Sequence, residues 1–531
     1  MQLNSKLIRV FVFIVILILA YSIYSPAIKA PFTYEDEYEF LEIANGKKNY
    51  KTGVVKEIDF IDFQYKFIKL GRYAPTSMGI KYIKAKIFPK DSEANHIILI
   101  VIAAITSFLL FLIFIEFEVN IFLSLLGSIL CLFAPWATIH IRLSTGESPG
   151  NLFLFLSVLL FIKYIKKEKP LILFLSFISV LLMSQCKESY TLLAPVLALC
   201  FIGYHAHFHQ ITIIESLKNT IKPALFIFAL PFAIGVLGIA LVIYIRGDVF
   251  AYGATKSYLG QALDNLVWLI KWLLPILFFL LISIYLYIKT NLKRPVFIGA
   301  FITIAWLGSQ LVAYYNIKIS FSQIRYLAPG GLILLFFSIL SFQFLSQKYR
   351  KLYFLVSTLL ILMIVKYAKL AYIDAGLFKA NSVAYNKVMD FIASKKIESI
   401  AFYQGYEIVN SSFCQLNDRG YRPKIYASTT KLENEENKEF NNLLLNVLKD
   451  TYNLIEFDSI LINNQIPKML IISLPLPDNK DTPDRFIRNK FKEKILFTEK
   501  YNNVKFSDFI KPEFYRGQLG KDSVSYVTYV R

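Results

Sequence analysis

Residues 7–28, LIRVFVFIVILILAYSIYSPAI, and the stretch that follows at 29–44, KAPFTYEDEYEFLEIA, decide how the rest of the chain is read. The first is an apolar run of about twenty residues, the length that carries a helix across a bilayer core. Lys6 and Arg9 near its start, and small residues around Ala27 and Ala30, imitate a signal peptide. A signal h-region is shorter, however, at about 7–15 residues, so the run reads as an uncleaved first span. The second stretch sets three consecutive carboxylates, Glu35, Asp36 and Glu37, a few residues beyond a membrane surface. Repulsion among them, beside a low-dielectric bilayer, raises the proton affinity of at least one, which is how a carboxylate becomes a general base.

Outward from this pair, the mixed loop at 29–95 is followed by apolar runs near 96–115, 119–139, 150–165, 170–186, 190–205, 223–245, 264–288, 295–315, 326–346 and 352–373. Together with the first, these predict about eleven transmembrane helices in a membrane domain at 1–373. Lys163, Lys166, Lys167 and Lys169 follow one span, Lys289, Lys293 and Arg294 another, and Lys348, Arg350 and Lys351 a third. With the N-terminus in the cytoplasm, every one of these short basic loops is cytoplasmic, as the positive-inside rule requires. The 29–95 loop and the C-terminal region then lie outside. Residues 374–531 change character: apolar runs shorten to strand length at Ile397–Tyr403 and Met469–Leu474, between charged stretches such as Glu433–Lys449. They predict a C-terminal extracytoplasmic α/β domain, with no P-loop, dinucleotide fingerprint or nucleophile elbow of its own.

Composition agrees. A chain of 531 residues that is 56% hydrophobic and 18% charged has a membrane part and a wet part. Its net charge of +20 is spread along the whole length rather than gathered in a stripe, which argues against nucleic acid and for anionic lipids and phosphate-bearing substrates. Four cysteines, two of them inside apolar runs, make no disulfide framework or zinc pattern. His205, His207 and His209 lie at a cytoplasmic span end, where a helix pairs only the first and last.

The remaining chemistry-bearing residues fall on the outer side of this topology. Arg72, in KLGRYAP at 69–75, carries a planar donor fork suited to phosphate. The turn TIHIRLSTGESPG at 138–150 crowds Arg142 and Glu147 together, and Lys187 and Glu188 interrupt an otherwise apolar hairpin. Arg325 and Tyr326 open a later span. Arg72, the Glu147 turn and Arg325 read also as ordinary polar turns or an interfacial anchor, whereas the cost of ionisable groups at the depth of Lys187 and Glu188 makes function the default there. The agreement of all of them in side is what carries weight.

In order of features, the first 345 or so residues resemble the GT-C superfamily, the membrane glycosyltransferases that use polyprenyl- or dolichyl-phosphate sugars, such as protein mannosyltransferases and aminoarabinose transferases. The resemblance rests on Asp36-Glu37 with Tyr38 and Ala44, the Glu147 turn, Lys187-Glu188 and the run RYLAP at 325–329. A doubled proline that the aminoarabinose transferases carry after the acidic pair is missing; the chain has Gly71-Arg72-Tyr73-Ala74-Pro75 instead. The resemblance implies a GT-C-like fold and inverting transfer of a sugar from a polyprenyl-phosphate donor to an extracytoplasmic glycan, lipid or protein at the plasma membrane. Asp36 or Glu37 would be catalytic, and Lys187, Arg325, Arg72 and Arg142 would bind the donor phosphate. Glu35, Glu147, Glu188 and Tyr326 are further site candidates. The sequence requires no cofactor, although a divalent cation bridging carboxylate and phosphate is compatible with it. The alternative is a transporter or flippase of lipid-linked saccharides, which calls for ionisable groups deep in several spans; Lys271 and Lys366 are the notable ones.

Overall fold

The structure, a computed structural model, describes residues 5–33, 37–48, 55–69, 72–134, 136–246, 331–332, 335–336, 338–340, 342–343, 350–402, 406–427, 455–456, 470–473, 492–500 and 523–530. The expected spans at 264–288 and 295–315 lie outside these residues, as does most of 326–346 and the stretch Glu433–Lys449. Among the described residues, six helical segments are long and apolar enough to cross a membrane, and two shorter apolar helices accompany them.

Helix α1 (Ser5–Ile28) shows how the sequence sorts itself. Val12, Ile16, Ala20, Tyr24 and Ala27 recur at helical spacing and are buried, whereas Leu7, Val10, Phe11, Ile14, Ile18 and Tyr21 are exposed on the face left to lipid. The inward face packs on α5 (Ser92–Glu116) and on a long helix near the C-terminal end of the membrane domain. Between α1 and α5, the long loop folds into α2 (Tyr38–Asn45), α3 (Phe60–Lys69) and α4 (Pro75–Ile87), with a small pairing of β1 (Lys47–Lys48) and β2 (Val55–Lys56).

The apolar run at 119–139 does not form one helix. α6 (Ile121–Phe133) ends because Ala134 precedes a proline and takes an extended conformation (φ −56°, ψ 168°), after which Ala137–His140 makes one 3₁₀ turn. α7 (Glu147–Lys167) closes on Glu168 in the left-handed region, and Pro170 starts α8 (Pro170–Ser184), a tight hairpin with Lys166 and Lys167 at the negative end of the α7 dipole. After α9 (Glu188–Thr191) and α10 (Leu193–Phe208), a capping box between Thr212 and Glu215 opens α11 (Ile213–Ala224). Pro223 lacks an N–H, and the ladder slips into one π turn at Leu225–Ala229 before α12 (Leu230–Arg246). The rings of His205 and His209 lie 4.4 Å apart, tilted to one another, at the C-terminal end of α10, as the helical spacing requires.

Helix α13 (Arg350–Ser394) is 45 residues long. It passes the expected 373/374 boundary unbroken, and at 1.5 Å per residue it measures roughly 67 Å, about twice a bilayer core. Beyond residue 373 it becomes amphipathic, burying Leu377, Ala380, Tyr385, Val388, Met389 and Ile392. It leads into a six-stranded sheet of order β5-β4-β3-β6-β8-β7, made of β3 (Ser399–Phe402), β4 (Lys424–Ala427), β5 (Ile455–Glu456), β6 (Leu470–Ser473), β7 (Lys492–Lys500) and β8 (Ser523–Val530). The first four are parallel and the last two antiparallel. α14 (Tyr406–Asp418) is the crossover between β3 and β4. This is an α/β domain, with β3 and β6 inside the runs read as strands.

Candidate functional site

The acidic segment is anchored on both sides. Glu37 lies at the start of α2 and is only 1% exposed. Its Oε2 accepts the amide N–H of Thr33 at 3.0 Å, and its Oε1 accepts the amide of Leu143 at 3.2 Å. A carboxylate with both oxygens on backbone amides ties the first long loop to the turn between α6 and α7. Glu35 and Asp36 lie outside the described residues.

Behind Glu37, α4 is inverted relative to an ordinary surface helix. Lys81 and Lys84 are 4% and 7% exposed, while Ile83 and Ile87 are 56% and 61% exposed. Lys81 pairs with Glu39, and Lys66 reaches Glu42 at 2.5 Å and Glu39 at 3.8 Å. Lys84 has no carboxylate within ion-pairing distance among the described residues; its ammonium lies 5.3 Å from the Phe40 ring centre. Burial first, and then the neighbouring Lys81, push its pKa down to about 8, against a smaller opposing pull from Glu37. The unfolded chain therefore holds more protons than the folded one between pH 8 and about 10.5, and stability rises with pH across that window. Lys84→Met is expected to flatten this slope, removing about 3 kcal/mol of pH dependence. Denaturant titrations of both proteins at pH 7.5 and 10 read it directly; parallel curves would refute it.

A second cluster forms where α7, α8 and α9 meet. Lys187, extended at φ −170°, pairs with Glu147 at 2.5 Å, both side chains at most 10% exposed. Tyr190 donates to Glu147 O or to Asn151 Oδ1, at 3.1 and 2.6 Å, and Thr191 Oγ1 returns to Ser184 O at 2.7 Å to close the hairpin. Gly150 makes the close approach possible: a Cβ there would meet the Tyr190 ring at 2.6 Å. Gly150→Ala is expected to displace that ring and cost about 1–3 kcal/mol by overpacking, measured as a lowered denaturation midpoint. Tyr190→Phe, which keeps the ring in place, is expected to cost about 1 kcal/mol.

The first loop docks on this hairpin too. Tyr73 N donates to Glu188 Oε1 at 2.7 Å, Thr76 N donates to Gln185 O at 3.0 Å, and Gly146 packs against Ser77 and the carbonyl of Cys186. Arg72 is half-buried immediately before Tyr73, its own amide bonded to Phe67 O at 2.9 Å. Arg142 is half-buried, one residue from the Glu37 contact, and acts electrostatically on Asp374 of α13. Glu37, Arg72, Arg142, Glu147, Lys187 and Glu188 thus belong to three segments hydrogen-bonded to one another at one end of the bundle. Arg325 and Tyr326 lie outside the described residues. Among the described residues, no group of three or more His, Cys, Asp or Glu is placed to hold a metal ion.

Sequence reasoning passed over Lys81 and Lys84, since lysines in a loop helix read as solvated. Their signal was the i, i+3 spacing on the face shared with Ser77, Met78 and Ala85. It also missed Asn386 and Gln415, which reach the first loop from the C-terminal domain, and Arg419, which bonds both of them.

No protein-family profile matches the chain, and no curated protein sequence matches it. Its three-dimensional structure is similar to the crystal structure of ArnT from Cupriavidus metallidurans in the apo state, with a TM-score of 0.50 at 9% sequence identity, over 99% of this chain and 98% of that one. At that identity the likeness concerns the fold alone: the chain is an integral membrane protein with a polytopic helical domain followed by an α/β domain.

Proposed function

We propose that this chain transfers a sugar, with inversion, from a polyprenyl-phosphate-linked donor to an acceptor on the extracytoplasmic face of the plasma membrane. The observation that carries the reading is the convergence of three loop segments at one end of a GT-C-type bundle, through Glu37 to Leu143, Tyr73 to Glu188 and Lys187 to Glu147. It sets carboxylates and cations side by side at a membrane surface, which transfer from a lipid phosphate needs.

Asp36 takes the proton of the acceptor hydroxyl as that oxygen bonds to C1 of the sugar. The bond from C1 to the phosphate oxygen breaks, and the polyprenyl phosphate departs with the electron pair. Lys187, Arg325, Arg72 and Arg142 supply positive charge to that phosphate. Between the two acidic candidates, the backbone hydrogen bonds to both oxygens of Glu37 favour Asp36 as the base, with Glu37 holding the loop that carries it. The apolar bundle accommodates the lipid tail, with the N-terminus cytoplasmic and the C-terminal domain outside.

Membranes containing the protein, supplied with tritium-labelled lipid-phosphate sugars extracted from the producing cells, are expected to yield a labelled acceptor. Mass analysis of envelope glycans with and without the protein names the sugar and the acceptor. Movement of intact lipid-linked sugar between leaflets, with no transfer product, would replace this reading with a flippase. A reporter fused at Arg531 is expected to be active only outside the cytoplasm.

A further inference from the structure

The carbonyl of Phe32, next but one before Tyr34-Glu35-Asp36, receives two side-chain donors from the far end of the chain. Asn386 Nδ2 on α13 lies 2.8 Å away and Gln415 Nε2 on α14 lies 3.0 Å away. The next carbonyl, of Thr33, accepts from Ser411 Oγ at 3.4 Å, and Ser411 is itself held by the hydroxyl of Tyr385 at 3.0 Å. Sequence separations of more than 350 residues make these tertiary contacts between the C-terminal domain and the first loop.

One side chain orients both amides. The guanidinium of Arg419 donates from Nη2 to Asn386 Oδ1 at 3.0 Å, from Nη1 to Gln415 Oε1 at 2.6 Å, and from Nε to Asp390 Oδ1 at 2.6 Å. A guanidinium has no acceptor, so it selects the oxygen end of each amide and turns both NH₂ groups toward Phe32 O. Asn386 has a second acceptor in Ser382 O at 2.9 Å, which keeps its amide in the helix groove. Gln415 is 3% exposed, so its amide has little freedom to find solvent instead. On the other side of the acidic residues, Glu37 bonds the amides of Thr33 and Leu143. Phe32 and Thr33 on one side of the acidic residues and Glu37 on the other are therefore held, the first pair by the C-terminal domain.

We propose that Arg419, Asn386 and Gln415 are positioning residues through which the C-terminal domain holds Phe32 and Thr33, the residues that lead into the acidic stretch of the first loop, for the transfer reaction. The inference rests on the reading of Asp36 as the base for its chemical consequence, but not for the clamp itself. A segment held at both ends presents its carboxylate with little reorganisation, and small misplacements of a catalytic group cost about 10²-fold in rate.

The test uses the full chain in lipid nanodiscs, as wild type, Arg419→Met and Gln415→Met. Gln415→Met keeps side-chain volume and serves if Arg419→Met does not fold. Two readouts are taken: amide hydrogen exchange over residues 31–41, and kcat and KM for transfer from the labelled lipid-phosphate sugars. Faster exchange at 31–41 by tenfold or more, with α1 and α5 unchanged, and a tenfold or greater fall in kcat at constant donor KM are expected. Arg419→Lys, which keeps a cation but not the fork, is expected to lie between the two. Unchanged exchange overturns the clamp. Faster exchange with unchanged kcat overturns the positioning role. Absence of transfer by the wild type with any donor overturns the functional reading instead, and the exchange data still decide the clamp.

Discussion

Asp36→Asn is expected to lower sugar transfer about 10³-fold, because an amide cannot take the acceptor's proton and general-base catalysis is worth about 10²–10⁴. Donor binding should change little, so the loss belongs in kcat rather than KM. Glu37→Gln is the informative partner. Its NH₂ end must face either the Thr33 amide or the Leu143 amide, turning one hydrogen bond into a clash of donors. That costs about 1–3 kcal/mol of loop stability and, through displacement of the loop, a transfer rate reduced roughly tenfold. Parallel assays of the two variants in membranes with the labelled donor rank them. A Glu37→Gln enzyme that is dead beside an active Asp36→Asn enzyme would reverse the assignment.

The Lys187–Glu147 pair carries the second large effect. Removing one partner, as in Glu147→Ala, leaves a buried charge without its counterion and is expected to cost about 3–5 kcal/mol. The double variant Glu147→Leu with Lys187→Met replaces both charges by apolar groups of similar size and should recover most of that stability. Its transfer activity is the discriminating measurement. A folded double variant that has lost about 10²-fold in kcat places Lys187 on the departing phosphate, in keeping with the loss of a single electrostatic stabiliser. Full activity in the same protein would assign the pair to holding the hairpin alone. Denaturation and transfer measured on one preparation separate the two.

The spans were legible because a bilayer demands about twenty apolar residues per crossing, a demand that hydropathy reads directly. α5, α7 and the Ile213–Ile245 segment fall where the apolar runs put them. The 119–139 run shows the limit: composition is blind to the conformation that a following proline imposes on Ala134. α13 was half legible. Its apolar part ends near residue 373, while its continuation is written in a 3.6-residue period from Leu377 to Ile392 that a hydropathy reading does not register. At the site, the types and the side of the residues could be read, but not their partners. Adjacent Asp36 and Glu37 look alike in sequence, and the inward turn of Glu37 depends on the Leu143 amide, 106 residues away. The reach of Asn386 and Gln415 to Phe32 depends on tertiary folding in the same way.

The unbroken length of α13 makes the bilayer itself part of the geometry around Phe32. A thinner or thicker membrane is matched by helix tilt, at small energetic cost per ångström. A rigid rod that protrudes roughly 30 Å beyond the membrane moves its tip sideways by about 5 Å for each 10° of tilt. Asn386 rides on that protruding end, Arg419 is bonded to it, and Gln415 is bonded to Arg419. Acyl-chain length in a reconstituted system then acts as a dial on the acidic loop. Activity should peak in lipids of one chain length and decline on both sides of it.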